Sequence, residues 1–164
     1  MSSGRTYGPA LRPNDRALAL LRIAIGVFFL VFGEYKLTGQ EFVHGGFRGW
    51  IERFVADGAY PFMLPILKGL VLPHDLLFGW AVAIGEFAIG VALVLGVAVR
   101  AASAGGLALM LGLLFASNYP GAGKPIWQYL GASLSHSILA LCFCAFLVGD
   151  AAGAYSIKSF RRSR

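Results

Sequence analysis

Four long apolar blocks, each bounded by charged or turn-forming residues, constrain this chain more than any other feature. They cover residues 17–33, 76–99, 101–117 and 129–148. A hydrocarbon core about 30 Å thick needs about 20 mostly apolar residues per helix, and each block meets or nearly meets that length. Only 13% of the residues are charged and 57% are hydrophobic, whereas soluble domains run near 25% charged. With a mean hydropathy of +0.70, the chain lacks the polar groups to coat a globular surface. Its apolar residues run continuously instead of alternating over ten-residue strands, which excludes a membrane barrel.

The expected fold is therefore all-α, an integral membrane four-helix bundle forming one domain over residues 1–164. The expected divisions are a tail at 1–14, spans at 15–36, 76–99, 101–117 and 129–149, outer loops at 37–75 and 118–128, and a basic tail at 150–164. The first block is longer than a secretory signal core and runs into Gly33-Glu34-Tyr35-Lys36 instead of a small-residue cleavage site. It reads as a retained helix. Cys142 and Cys144 stand two apart on one helix, about 200° around it, and cannot bridge each other. No C-x-x-C occurs, which argues against thiol–disulfide chemistry.

Charge sets the orientation. Arg5, Arg12, Arg16, Arg100, Lys158, Arg161, Arg162 and Arg164 fall on one side, against Asp15 and Asp150. Lys36, Arg48, Arg53, Lys68 and Lys124 face Glu34, Glu41, Glu52, Asp57 and Asp75 on the other, while Arg22 and Glu86 cancel inside the membrane. The formal charge of +6 thus gathers on one face. Positive charge stays cytoplasmic, so both termini are expected inside, in a bacterial or archaeal cytoplasmic membrane. The basic groups suit anionic lipid head groups; nucleic acid is not an expected partner.

The connection between the first two spans is unusual. Val43, Phe47, Trp50, Ile51 and Phe54 recur at helical spacing, with Glu52, Arg53 and Asp57 on other sides. This is the pattern of an amphipathic helix lying in the outer interface. Residues 66–72, closed by Pro73, are apolar but too short to span, and are expected to cap the bundle or form a shallow re-entrant piece.

Small residues line up along each span. The stripes are Arg22, Gly26 and Gly33; Gly79, Ala83, Glu86 and Gly90; Ala101, Gly105, Ala108, Gly112 and Ala116; and Ala132, His136, Ala140 and Cys144. Such stripes let membrane helices pack closely, so all four are expected to face the bundle interior. Three of them carry a charged or titratable polar group inward. Glu86 lies about 15 Å deep, near the midplane, where an acid is costly and usually has a purpose. It is either a proton carrier or hydrogen-bonding group for a ligand carbonyl, or an interhelical tie to Arg22. Arg22, about 8 Å deep, leans towards its own helix N-terminus and away from Glu86. It therefore bridges through water or ligand, or snorkels to the inner head groups. His136, about 10 Å from the outer surface, leans outward as Glu86 does and is a candidate for a carboxylate–imidazole pair that moves protons, or else a packing donor. His44 and His74 read as solvated loop residues, without the spacing of a metal site. Tyr35, Trp50, Trp80, Tyr119, Trp127 and Tyr129 read as interface anchors.

Arg22-x-x-x-Gly26, then Gly33-x-x-Lys36, then Glu86-x-x-x-Gly90, Gly96 and Arg100 together resemble the DoxX family of four-helix membrane proteins, over residues 16–154. The long outer loop and Asn118-Tyr119-Pro120 resemble its DoxD-like branch, the small subunit of thiosulfate:quinone oxidoreductase. The resemblance implies a membrane subunit that works with quinone beside a second redox subunit, or a homo-oligomer. A non-catalytic assembly or stabilising factor is the alternative. Lys36 and Arg100 become ligand-site candidates through the resemblance alone. No haem, iron–sulfur or copper ligand set is present, so electrons are expected from a partner or a bound organic cofactor. One departure is the Gly149-Asp150-Ala151-Ala152-Gly153-Ala154 segment, which lacks the arginine that family members often carry there.

Overall fold

Helix α1 (Pro13–Thr38) carries Asp15 in its first turn and Lys36 in its last, charges that suit the two ends of the helix dipole. It belongs to a computed structural model that describes residues 13–39, 41–149, 151 and 155–157. The expected N-terminal tail, the basic run from residue 158 and most of the 149–154 departure lie outside these residues. Among the described residues every regular element is helical.

α1 packs antiparallel against α4 (Asp75–Leu95). A Cβ at Gly33 would lie 2.5 Å from the Phe87 nitrogen, and one at Gly90 would lie 2.6 Å from the Leu30 nitrogen. The two backbones therefore touch where any side chain would hold them apart. The first two stripes are buried as expected, including Arg22, Gly26 and Gly33 on α1 and Gly79, Ala83, Glu86 and Gly90 on α4. α4 stops at Gly96, whose left-handed φ of 68° aims its N–H at the Ala92 and Leu93 carbonyls. The chain then turns directly into α5 (Val99–Ala116).

The third stripe is buried only at Ala116, while Ala101, Gly105 and Ala108 are exposed. α5 buries Ser103, Gly106, Met110 and Leu114, while nothing lies within 4 Å of a Cβ built at Gly112. The reason is α7 (Leu134–Val148), whose Phe143 ring fills the space that a side chain at Gly106 would occupy. The fourth span differs too. It is divided into α6 (Ile126–Gly131) and α7, with Ser133 leaving helical geometry at φ −132°, ψ 59°. On α7 Ala140, Phe143 and Phe146 are buried, and Ala132, between α6 and α7, is exposed.

Between α1 and α4 the amphipathic helix forms as expected. α2 (Phe47–Asp57) buries Phe47 and Ile51. It follows a π-type turn at Phe42–Gly46 that is broken at His44 and at Gly45, whose φ is 126°. Arg48 bonds Glu52 at 2.8 Å and lies 3.7 Å from Asp75, which ties α2 to the start of α4.

The 66–72 stretch is helical and packs beside α2, with Leu67 and Val71 in the same apolar cluster as Phe47 and Ile51. The 32 residues Leu64–Leu95 run through α3 (Leu64–Ile66), a π-type turn at Leu67–Val71 and a 3-10 turn at Leu72–His74 before α4. Pro73 cannot donate to the helical ladder, and His74 after it leaves helical geometry at φ −124°, ψ 32°, so α4 begins afresh at Asp75.

Asn14–Thr38, Leu64–Leu95 and Val99–Ala116 are long and apolar enough to cross a membrane; Leu134–Val148 is apolar and shorter. Phe28, Phe32, Leu77 and Leu141 stand exposed around them, as lipid-facing side chains do. The chain is an all-helical, multi-pass membrane protein. Its interior has two apolar cores. One joins Ile25, Phe29, Leu93, Met110 and Phe143 within the bundle, and the other joins Phe47, Ile51, Leu67, Val71 and Ala116 under α2.

Candidate functional site

At the junction of those two cores sits an ion pair. Lys36 Nζ donates to both carboxylate oxygens of Glu86, at 2.6 and 2.5 Å. Glu86 is 5% exposed and the Lys36 side chain 20%. Local geometry explains the meeting. Gly33 sets α1 directly against Phe87, which brings Lys36, one turn later, beside Glu86. Side chains lean towards their own helix N-terminus, so on antiparallel helices Lys36 leans inward and Glu86 leans out to meet it. The ammonium also lies 4.9 Å from the centre of the Phe42 ring, a cation–π contact that adds to its stabilisation.

Cavities open on both sides of the pair. The first, about 620 Å³, is lined by Phe32, Tyr35, Phe42, Phe47, Trp50, Ile51, Phe54 and Val82 together with Lys36 and Glu86. It is walled by α1, α2 and α4 with Leu113 of α5, and is mostly apolar apart from the pair. The second, about 430 Å³, shares Lys36, Glu86, Phe32 and Leu113 and reaches Ser135 and His136 on α7. A charge pair in the wall of an apolar, half-open cavity offers a strong donor and a strong acceptor to any ligand seated there.

The predicted site residues separate into two groups. Glu86, Lys36 and His136 come together around the cavities. His136 makes no ion pair with Glu86; its Nδ1 lies 2.5 Å from Ser133 Oγ instead. Arg22 is fully buried towards the other end of the bundle, where Nη2 donates to the Tyr155 carbonyl at 2.9 Å. A Cβ on Gly96 would run into this guanidinium and into Ser156. The interhelical tie read for Arg22 and Glu86 is therefore corrected, because Lys36 takes the carboxylate and Arg22 anchors the chain after α7. Arg100 is exposed at the start of α5 and shares no wall with Lys36 or Glu86. His44 is exposed, and His74 Nδ1 contacts the Leu70 carbonyl. Among the described residues no cluster of His, Cys, Asp and Glu has the makings of a metal site.

Three residues take parts the sequence reading did not give them. Lys36 is the partner of Glu86, which the leaning rule applied to α1's far end would have found. Trp50 lines the first cavity while remaining 51% exposed. Ser133 is recruited by the break between α6 and α7, for which the apolar run carries no signal.

Fold and site together define an all-helical membrane protein with a lysine–glutamate pair buried between two cavities. The DoxX family model matches residues 17–118, more than half of the chain, and the protein belongs to the DoxX family. The match ends ahead of α6 and α7, short of the 16–154 span of the sequence resemblance. No curated protein and no solved structure matches the chain.

Proposed function

We propose that this protein is a small membrane subunit of a quinone-linked redox complex of the thiosulfate:quinone oxidoreductase type, with the quinone head group held at Lys36 and Glu86. One observation carries this reading: a buried ion pair forms the polar floor of an aromatic-lined cavity between membrane helices. The donor set fits a quinone. Lys36 donates a hydrogen bond to a carbonyl oxygen, and Glu86 holds or releases a proton beside it. Phe42, Phe47, Trp50 and Phe54 exclude water and offer ring faces to a flat ring. When bound, a quinone supplies two-electron, two-proton redox chemistry. Electrons reach the site from a second redox subunit.

In this reading both termini and the Arg100 turn are cytoplasmic. Reporter fusions after Arg164 and at Arg100 give cytoplasmic signals, and fusions at Gly58 and Gly123 give signals from the opposite side. A C-terminus on the outer side contradicts this arrangement.

A second reading rests on the completeness of the pair. Lys36 and Glu86 satisfy each other and join α1 to α4, as a stabilising clamp in an assembly factor would. Purification from native membranes separates the two. A co-purifying redox subunit with extractable quinone is the expected result. An unrelated partner complex with no quinone favours the assembly factor.

A further inference from the structure

The second cavity has a polar end that holding a head group in the first does not use. Ser133, 6% exposed, is the residue just before α7, and from such a position a serine hydroxyl ordinarily bonds the backbone N–H three residues on. Here it meets the side chain three residues on, His136 Nδ1, at 2.5 Å. Ser133 Oγ also accepts from Asn118 Nδ2 at 3.4 Å. Asn118 is exposed and is held at a left-handed φ of 58°, which Asn tolerates better than most residues. Among the described residues, Nδ1 is the acceptor within reach of the Ser133 hydroxyl proton. The neutral imidazole is thus assigned its proton on Nε2. Beyond the ring lies the cavity of about 430 Å³ with Glu86 and Lys36 in its wall, room for several waters at about 30 Å³ each. Exchangeable groups therefore run from the surface at Asn118, through Ser133 and His136, to a space that ends at Glu86.

We infer that this string is the proton entry to Glu86, separate from the ligand's approach through the first cavity; it deepens the quinone reading and rests on it only for the ligand's identity. Ser133 passes its hydroxyl proton to Nδ1 and takes one from solvent. The imidazolium so formed releases the Nε2 proton across the cavity to the Glu86 carboxylate, where a new O–H bond forms. The ring is left neutral with its proton on Nδ1, and rotation resets it. The groups that face Glu86 are few. Lys36 and, in the first cavity, Tyr35 come from α1, and His136 comes from α7; α5 contributes Met110 and Leu113, and α2 contributes Phe47, Trp50, Ile51 and Phe54. His136 is the group among them placed between the surface string and the acid.

The test uses the full chain in lipid nanodiscs and follows the Glu86 carboxylate infrared band after a pH jump, the band being identified by its loss in Glu86→Gln. His136→Ala and Ser133→Ala are expected to slow protonation of Glu86 about tenfold or more. Added imidazole should restore the rate in His136→Ala, a rescue that a packing role does not provide. Ser137→Ala, which removes a neighbouring hydroxyl outside both cavities, is expected to leave the rate unchanged. If His136→Ala does not fold, His136→Gln replaces it: a slowed rate supports the path and a wild-type rate overturns it. A wild-type rate in His136→Ala, slowing without imidazole rescue, or a band that does not respond to pH also overturns it. Binding of a short-chain ubiquinone, measured in parallel, separates the two ideas. No binding with the His136 effect intact removes the quinone reading alone, and binding with no His136 effect removes the proton path alone.

Discussion

Replacing Lys36 by methionine lowers the stability of the folded chain by about 3–5 kcal/mol, and replacing Glu86 by leucine costs a similar amount. Each change leaves its partner's charge in a wall that is otherwise apolar. The penalty comes from that stranded charge more than from the lost attraction, because the attraction of a buried pair is largely offset by the cost of desolvating both groups. The double variant Lys36→Met/Glu86→Leu therefore recovers most of the loss. Methionine and leucine suit the surrounding Phe32, Phe42 and Val82, so the repaired wall is apolar throughout. Arg22→Met is the discriminating control. It removes the hydrogen bond to Tyr155 far from the pair, so its cost adds to that of Glu86→Leu without rescue. Unfolding titrations of the purified variants give the coupling energies. A single-variant cost below about 1 kcal/mol would mark the pair as one of the solvated bridges that contribute little.

Gly33→Leu is the second large effect. Even the first carbon of the new side chain would lie 2.5 Å from the Phe87 nitrogen and 2.7 Å from its Cα, and backbone does not yield as a flexible side chain does. The helices must separate or slide. Either movement also pulls Lys36 from Glu86, since Gly33 sets the register that brings them together. The expected cost is above about 3 kcal/mol, with a yield too low to purify as the extreme outcome. Gly112→Leu, on a face with nothing within 4 Å, is expected to change stability by less than about 0.5 kcal/mol. Thermal melting of the two variants side by side decides the matter; equal melting temperatures would mean that the α1–α4 contact is looser than the backbone distance implies.

The long elements were legible because membrane crossing imposes length and hydropathy that a sequence cannot disguise. The α1 and α4 stripes were legible for a related reason: a charged or glycine residue recurring on one face of an apolar helix has few uses besides packing inward. α5 was misread because alanine and glycine are cheap in lipid as well as at an interface. Ala101, Gly105, Ala108, Gly112 and Ala116 fit the small-residue pattern, yet of these Ala116 alone is buried, and the Phe143 ring fills the gap at Gly106 instead. Pro73 marks a boundary in sequence and structure alike, because His74 after it leaves helical geometry before α4 begins at Asp75. The partner of Glu86 was missed through a choice of candidates. The leaning argument that counts against Arg22 points to Lys36 when applied to the other end of α1, where the resemblance alone marks Lys36 as a site residue. Ser133 was not legible at all, because a serine in an apolar run gives no sign that the helix will break around it.

Whether Lys36 and Glu86 hold a head group is tested most directly by titrating a short-chain ubiquinone into the purified protein and following Trp50 fluorescence. Trp50 lines the first cavity, whereas Trp80 and Trp127 line neither cavity and can be replaced by phenylalanine to remove their background. Wild type is expected to show saturable quenching. The folded Lys36→Met/Glu86→Leu variant should bind about ten- to a hundredfold more weakly, the loss of a charged hydrogen bond worth about 1.5–3 kcal/mol. Equal affinity in the two proteins, or no saturable quenching in either, would contradict a quinone site at this pair.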